Sequence, residues 1–353
     1  MKKIFAFSFL ITIIACNNNK SQQMNYKKIG TIERLNPALD SIISPDAQAE
    51  IIAEGFDWCE GPVWVEKYKM LLFSDVPRDT VYKWTEEKAR LTESFGQGKE
   101  VYLTPSGYTD TIPRGGEMGS NGLTLDKDGN LVLCQHGNRQ MARMDAPLDK
   151  PAAKYISIAN TYNGKKFNSP NDAVYNSNGE LFFTDPPYGL EKQMDDPKKE
   201  IPFQGVYKVK TNGEVVLLTD SLTRPNGIAF MPGEKQLIIA NSDPDKTNWY
   251  VFDVNEDSIS NGRIFFSVTG YDKKLKGLPD GFKIDKKGNV FATGPGGVYF
   301  LNSEGKLLGK LKLDNATSNI ALSPDEKTIY ITNDMYVLRL KMKPPKSPEG
   351  GLR

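Results

Sequence analysis

The sequence has very little histidine and little cysteine. Among 353 residues there are one histidine and three cysteines. A catalytic zinc site uses about three nitrogen or sulfur ligands and a structural zinc site about four. A zinc centre built from several histidines is therefore excluded, and any bound metal is expected to be a hard cation held by oxygen atoms.

A surplus of charge of one sign is also missing. Lysine and arginine number 45 against 44 for aspartate and glutamate, which leaves a net charge of +1. Proteins that bind the nucleic-acid backbone need a basic surplus, so no nucleic-acid partner is expected. Hydrophobic residues at 39% and charged residues at 25% are typical of a soluble globular protein.

The apolar segment at the N-terminus, residues 4–15, follows two lysines and has twelve residues. It is too short for a membrane-spanning helix, which needs about 20 residues, and it suits a secretory signal. The segment ends in Ile-Ile-Ala-Cys and resembles a bacterial lipoprotein signal. We expect a signal peptide over residues 1–15 and a lipid on Cys16; the alternative is an ordinary cleaved signal in which Cys16 is incidental.

The segment that follows Cys16 is polar, and we expect residues 16–35 to form a tether between the lipid and the folded domain. Asn17, where an aspartate would favour the inner membrane, favours the outer membrane. The expected location is the cell envelope, periplasmic or surface-facing, with membrane contact only through the lipid. Cys59 and Cys134 then allow at most one disulfide, and two buried free thiols are expected.

A short motif recurs six times at spacings of 38 to 61 residues. Its copies begin with Glu60-Gly61, Asn121-Gly122, Asn171-Asp172, Asn226-Gly227, Asp280-Gly281 and Ser318-Asn319. Several copies continue into an Asp-Gly or Asn-Gly hairpin turn and an apolar strand. Six such repeats predict an all-β, six-bladed β-propeller over residues 36–345, with a tail at 346–353. A β-sandwich is the competing fold, but it does not repeat one motif six times.

The first residue of each copy, which we call the ring position, always carries oxygen, and the second is a type that tolerates a left-handed backbone. We expect the second residues to share that backbone conformation. In a propeller the ring positions lie at one height around the central channel. Two carboxylates among neutral oxygens suit a Ca²⁺ ion, which favours hard oxygen ligands. The alternative is a polar lining of a wet channel or a set of turn caps.

The chain resembles the gluconolactonase, senescence-marker-protein and regucalcin (SGL) family from about residue 51 to residue 343, in its bacterial gluconolactonase branch. The motifs that carry the resemblance are Glu60-Gly61-Pro62-Val63-Trp64, Gln135-His136-Gly137-Asn138-Arg139, Asn168-Ser169-Pro170-Asn171-Asp172, Asp185-Pro186-Pro187-Tyr188-Gly189, Arg224-Pro225-Asn226-Gly227 and Pro279-Asp280-Gly281. The resemblance implies that one divalent cation, normally calcium, is held by Glu60, Asn171, Asn226 and Asp280. Magnesium, manganese and zinc stay open as alternatives. Asn121 is implied as a ligand or a substrate contact, and Ser318 has no implied metal role.

The implied activity is the hydrolysis of a sugar lactone, such as D-glucono-1,5-lactone, to its aldonic acid, with Asp280 as the base or the nucleophile. Loops at the channel mouth are expected to contact the sugar through His136, Arg139, Asn168, Asp185 and Tyr188. A non-catalytic propeller that binds a glycan or protein and uses calcium structurally is the alternative. The motifs quoted above do not point to a quinone-dependent sugar dehydrogenase. The sequence leaves the oligomeric state open.

Overall fold

The computed structural model of the protein describes residues 25–92 and 98–343. The signal peptide, Cys16 and the tail at 346–353 lie outside the described residues. Within them, no helix is both long enough and apolar enough to cross a bilayer.

Six antiparallel sheets, here called blades one to six, each contain four neighbouring blade strands, and the sheets of blades five and six carry a fifth strand at the outer edge. In chain order, the strands of blades one to three are Cys59–Val65, Met70–Asp75, Thr80–Thr85 and Lys99–Leu103; Ser120–Leu125, Leu131–Gln135, Gln140–Met144 and Tyr155–Ala159; Ala173–Tyr175, Leu181–Asp185, Gly205–Val209 and Val215–Thr219. Those of blades four to six are Pro225–Phe230, Gln236–Asp243, Lys246–Val254 and Ile259–Ser267; Phe282–Ile284, Val290–Gly294, Gly297–Leu301 and Leu307–Lys312; Asn319–Leu322, Thr328–Asn333, Tyr336–Lys341 and Ala49–Glu54.

The first strand of each blade in these lists is the innermost strand. Innermost strands of successive blades pack against each other, and the sixth packs against the first, so the ring is closed. The predicted all-β, six-bladed propeller is confirmed. Helices are short in the described residues: the α-helix Glu86–Thr92 and the 3₁₀ turns Pro37–Ser41, Glu66–Tyr68 and Gln193–Asp195.

Both ends of the described chain build the last blade. Ala49–Glu54 pairs antiparallel with Tyr336–Lys341, and the Arg339 guanidinium donates to a carboxylate oxygen of Glu50 at 2.8 Å. The Ser318 hydroxyl donates to the backbone oxygen of Cys59 at 2.6 Å, which links blade six to blade one. The circle is therefore closed by hydrogen bonds between residues far apart in sequence.

The predicted tether over residues 16–35 is wrong at its C-terminal end. Thr31–Arg34 pairs with Leu307–Lys312 at the outer edge of blade five, and Lys28–Ile29 pairs with Ala49–Glu54 at the outer edge of blade six. These residues satisfy edge backbone groups that would otherwise face solvent. The folded domain therefore begins before residue 36.

The core is divided among the blade interfaces. Six apolar clusters each lie between two neighbouring blades. A blade is covered on both faces, so its second strand is buried without alternation. In Leu181–Asp185, for example, every residue is buried. Cys59 and Cys134 lie in two of these clusters as free buried thiols, as the sequence predicted.

The expectation of a left-handed backbone at every second motif position is wrong for all but Gly61, whose φ is +52°. The glycines serve close packing instead. A Cβ at Gly122 would lie 2.6 Å from the backbone oxygen of Asn171, and one at Gly227 would lie 2.4 Å from that of Asp280. In blades one, two and four the innermost strand thus approaches the ring residue of the next blade at a distance that only glycine permits.

Candidate active site

A cavity of about 430 Å³ opens at one end of the central channel. Its lining includes the ring residues of five blades, Glu60, Asn121, Asn171, Asn226 and Asp280. The other lining residues are Trp58, Glu117, Tyr188, Arg224, Ser242, Pro244, Tyr271, Leu275, Gly277, Leu278 and Thr317. The structure therefore brings together ring side chains that are up to 220 residues apart in sequence, from Glu60 to Asp280. Ser318, the sixth ring residue, is fully buried and bonds to blade one instead.

Hydroxyl groups on the second strands hold the ring backbone in position. Ser74 donates to the backbone oxygen of Asn121 at 2.9 Å, and Thr184 donates to that of Asn226 at 2.7 Å. In blade five, the Thr293 hydroxyl lies 3.0 Å from the backbone oxygen of Ser318. Each bond runs from one blade to the ring residue of the next. The height of the ring residues is thereby fixed by the scaffold and not by the loops.

Three buried oxygen atoms of the cavity have no hydrogen-bond partner among the described residues: Oδ1 of Asn121, Oδ1 of Asn226 and Oδ1 of Asp280. The Asn226 amide donates to the Ser242 hydroxyl at 2.9 Å, which fixes its orientation and leaves Oδ1 free. Buried polar atoms are nearly always paired, because an unpaired one costs about 1–3 kcal/mol. Unpaired oxygens in an open cavity indicate a ligand that supplies positive charge or hydrogen-bond donors.

These oxygens suit a hard cation. Calcium takes 6–8 oxygen ligands, and carboxylate and amide oxygens are common among them. Two carboxylates, Glu60 and Asp280, match the charge of a divalent ion. Within the described residues, no three side chains of histidine, cysteine, aspartate or glutamate cluster as a metal site. A cation at this position therefore depends on the asparagine oxygens as well as the carboxylates.

The electrostatics of the ring favour the same ligand. Burial, together with the charge of Glu60, raises the pKa of Asp280 well above its usual range. Burial is also the main cause that raises the pKa of Glu60, and the charges of Asp172 and Glu117 add to it. Two desolvated carboxylates that repel each other are costly without a counter-ion. A divalent cation bound by Glu60 and Asp280 would remove that cost.

The predicted substrate contacts fall into two groups. Asn121 and Tyr188 line the cavity, and burial raises the pKa of the Tyr188 hydroxyl, so the phenol stays protonated. The side chains of Arg139, Asn168, Asp185 and His136 do not belong to the cavity lining. We therefore carry only Asn121 and Tyr188 forward as substrate contacts.

Arg139, Asn168 and Asp185 hold the loops behind the cavity wall. The Arg139 Nε donates to the backbone oxygen of Phe167 at 2.6 Å. The Asp185 carboxylate accepts from the backbone N–H groups of Asn168 and Ser169, both at 2.8 Å. Burial nevertheless raises the Asp185 pKa to about 7. Most hydrogen-bonding groups of these side chains are occupied by protein backbone, although Oδ1 of Asn168 has no partner among the described residues.

The sequence prediction missed several cavity residues, above all Glu117 and Arg224. Arg224 belongs to a motif that was recognised but given no role. Glu117 lies on the connection of residues 104–119 between blades one and two, in the segment Gly115-Gly116-Glu117-Met118-Gly119. The available signal was a lone acidic residue among glycines, directly before the second copy of the repeat.

Comparison with known proteins agrees with the fold. The family described as the SMP-30/Gluconolactonase/LRE-like region matches residues 58–334. This chain belongs to that family. The resemblance inferred from the motifs is thereby confirmed.

Individual members of the SMP-30/Gluconolactonase/LRE-like family give the same picture. A gluconolactonase of Zymomonas mobilis is 34% identical, over 97% of this chain and 95% of its own length. A regucalcin of Xenopus laevis is 23% identical, over 86% of this chain and 91% of its own length. A solved gluconolactonase structure from Xanthomonas campestris has a TM-score of 0.74 at 26% identity, over 90% of this chain and 96% of that chain.

Proposed function

We propose that this chain is a cation-dependent hydrolase that opens a sugar lactone, such as D-glucono-1,5-lactone, to the aldonic acid. The observation that carries the proposal is the set of unpaired, buried oxygens of Asn121, Asn226 and Asp280 in an open cavity. Membership of the family and the 34% identity to a named gluconolactonase support the type of reaction.

Glu60, Asn171, Asn226 and Asp280 are the residues proposed to hold the cation, with calcium as the preferred ion. Four protein ligands leave free positions on an ion that takes 6–8 oxygens, which favours a catalytic over a structural site. When bound, the cation polarises the lactone carbonyl and stabilises the negative charge that develops on it. Asn121, which lines the cavity, is proposed as a further cation ligand or a substrate contact, and the Tyr188 hydroxyl is proposed to bind a hydroxyl group of the sugar.

The test is acid release from a panel of lactones by the purified protein. We expect hydrolysis of D-glucono-1,5-lactone that is lost on treatment with a chelator and is restored best by calcium, with magnesium, manganese and zinc compared at equal concentration. Absence of activity on a broad lactone and organophosphate panel, with each metal present, would favour the alternative of a binding propeller with a structural cation.

We also propose that the domain is anchored in the cell envelope through a lipid on Cys16, which lies outside the described residues. Mass spectrometry of the membrane-extracted protein should find a lipid-modified N-terminus that begins at Cys16. The Cys16→Ser variant should appear in the soluble envelope fraction. An unmodified N-terminus elsewhere in the wild-type protein would favour the ordinary cleaved signal.

A further inference from the structure

The cavity contains a carboxylate that is not at a ring position. Glu117 lines the same cavity as Glu60 and Asp280, but it is supplied by the connection of residues 104–119. About 35% of its side-chain surface is exposed, whereas Glu60 is only 2% exposed. Glu117 is therefore more open to water and substrate than Glu60.

The one histidine of the chain lies next to the Glu117 carboxylate. The Nδ1 atom of His136 lies 3.5 Å from Oε2 of Glu117, and the imidazole is fully buried with no partner on either nitrogen among the described residues. The backbone around the two residues is also joined: Gly137 N–H donates to the Met118 oxygen at 3.0 Å, and His136 N–H donates to the Gly119 oxygen at 3.2 Å.

The charge state of the His136 imidazole allows it to donate a hydrogen bond to the Glu117 carboxylate. Burial, and then the nearby Arg114 guanidinium, lower the pKa of His136 to about 3, so the ring is neutral at physiological pH. A neutral imidazole carries one N–H, which can be donated to a carboxylate. The charge of Arg114 acts on His136, and the charge of Glu117 acts on the ring carboxylates Glu60 and Asp280.

Lactone hydrolysis needs one group that takes a proton from water and returns it to the leaving oxygen. Asp280 is poorly suited, because a carboxylate bound to a cation has a lowered proton affinity. A carboxylate in the cavity but off the cation does not have this handicap. We infer that Glu117 is the general base of the reaction and that His136 is its positioning residue. This inference rests on the proposed function.

The step balances with no further reactant. The Glu117 carboxylate accepts a proton from water as the water oxygen bonds to the lactone carbonyl carbon. The bond between that carbon and the ring oxygen then breaks, and the ring oxygen takes the proton from the Glu117 carboxylic acid. The products are a hydroxy acid and the original Glu117 carboxylate.

The decisive variant is Glu117→Gln, which keeps the shape of the side chain but cannot take the proton. We expect kcat to fall by about 10²- to 10⁴-fold, the usual range for a lost general base. Calcium affinity, measured by calorimetry on the protein without substrate, should stay within about threefold. Asp110→Asn, an exposed carboxylate of the same connection, is the matched control and should leave kcat unchanged.

Recovery of activity by an added small carboxylate distinguishes a variant that has lost the general base from one that has lost its fold. Glu117→Ala should recover part of its kcat when formate is added, because formate can occupy the vacated space and accept the proton. The control variant should not respond to formate. For His136, the Leu variant should lower kcat about tenfold at unchanged calcium affinity, and the Asn variant, which restores a donor near Nδ1, should recover part of the loss.

Three outcomes overturn the inference. They are a Glu117→Gln enzyme with wild-type kcat, a loss of calcium binding in that variant, and a change confined to KM, which would make Glu117 a substrate contact. Equal kcat in the His136→Leu and His136→Asn variants overturns the positioning role. A wild-type protein that opens no lactone refutes the proposed function and this inference together, whereas an active wild type with an active Glu117→Gln variant refutes only the inference.

Discussion

The central channel opens at both ends into cavities of similar size but different chemistry. The cavity at the ring residues measures about 430 Å³, and the one at the opposite end about 350 Å³. The opposite cavity is lined mainly by the later residues of the innermost strands, such as Val63, Val174 and Leu322. None of the unpaired buried side-chain atoms of the described residues belongs to its lining.

The comparison shows that cavity volume alone does not identify the functional site of this propeller. Each innermost strand starts with a polar ring residue and continues into residues that pack between blades. The same six strands therefore build a cavity with unpaired oxygens at one end and an ordinary cleft at the other. The unpaired oxygens, and not the space, carry the functional argument.

The largest expected effect comes from the carboxylates of the ring end. Asp280→Asn removes one of two full negative charges from the proposed cation site and should lower kcat/KM by at least about 10³-fold, in the range of a lost key electrostatic group. Calorimetry should show loss of calcium binding as well. Lys286→Ala, at the opposite cavity, is the control and should retain activity. A fully active Asp280→Asn enzyme would mean that the site is assigned to the wrong end.

A second expected effect tests the close packing of neighbouring blades at the ring residues. Gly227→Ala places a Cβ about 2.4 Å from the backbone oxygen of Asp280. We expect a loss of about 1–3 kcal/mol in the free energy of unfolding, as for other overpacked sites, together with weaker calcium binding. Urea unfolding measures the first quantity. Gly115→Ala is the control, because its Cβ meets nothing within 4 Å; equal stability of both variants would contradict the packing argument.

The free energy of unfolding should depend on pH through Asp185, which lies behind the wall of the ring cavity. Burial raises the Asp185 pKa to about 7, from a usual value near 4. Between these values the folded state binds more protons than the unfolded state, so the free energy of unfolding falls as pH rises from 4 to 7. Asp185→Asn should flatten this dependence by about 4 kcal/mol, because a pKa difference of about three units corresponds to about 1.4 kcal/mol for each unit.

Urea unfolding of the wild type and the Asp185→Asn variant at several pH values in one buffer system measures the difference, since other titrating groups cancel. Parallel curves for the two proteins would show that Asp185 is ionised without cost in the folded state. The hydrogen bonds from Asn168 and Ser169 would then outweigh burial.

The smallest expected effect is a change in KM that distinguishes a tyrosine in the cavity from a tyrosine outside it. Tyr188→Phe removes one hydroxyl from the cavity and should raise KM by roughly 2- to 10-fold with little change in kcat, the value of one hydrogen bond. Tyr102→Phe removes a hydroxyl that bonds to the Leu148 oxygen away from the cavity and should leave KM unchanged. Steady-state kinetics on one lactone decides the comparison, and equal KM values would remove Tyr188 from the substrate site.

The repeat predicted the blades well, because each copy carries its own turn and strand signals. It also predicted the ring, since Glu60, Asn121, Asn171, Asn226 and Asp280 all line one cavity. Predictions for loop residues were less successful. Arg139, Asn168 and Asp185 are polar residues in recognisable motifs, but their partners are backbone groups of neighbouring loops, and sequence spacing does not reveal those partners.

The strands at residues 28–34 were missed for a similar reason. They have no strong pattern of their own and form only because two blade edges, built from residues 307–312 and 49–54, offer unpaired backbone groups. The conformation of the motif glycines was also misjudged, because the close approach of the next blade cannot be read from a single copy.

The sequence alone determined the number of blades, the polar character of the ring and the two carboxylates on it, because these depend on local pattern repeated six times. Tertiary structure alone decided which oxygens remain without a partner, which loops stay behind the wall and that Glu117 lies opposite His136. Those properties depend on distances between residues that become neighbours only when the circle closes.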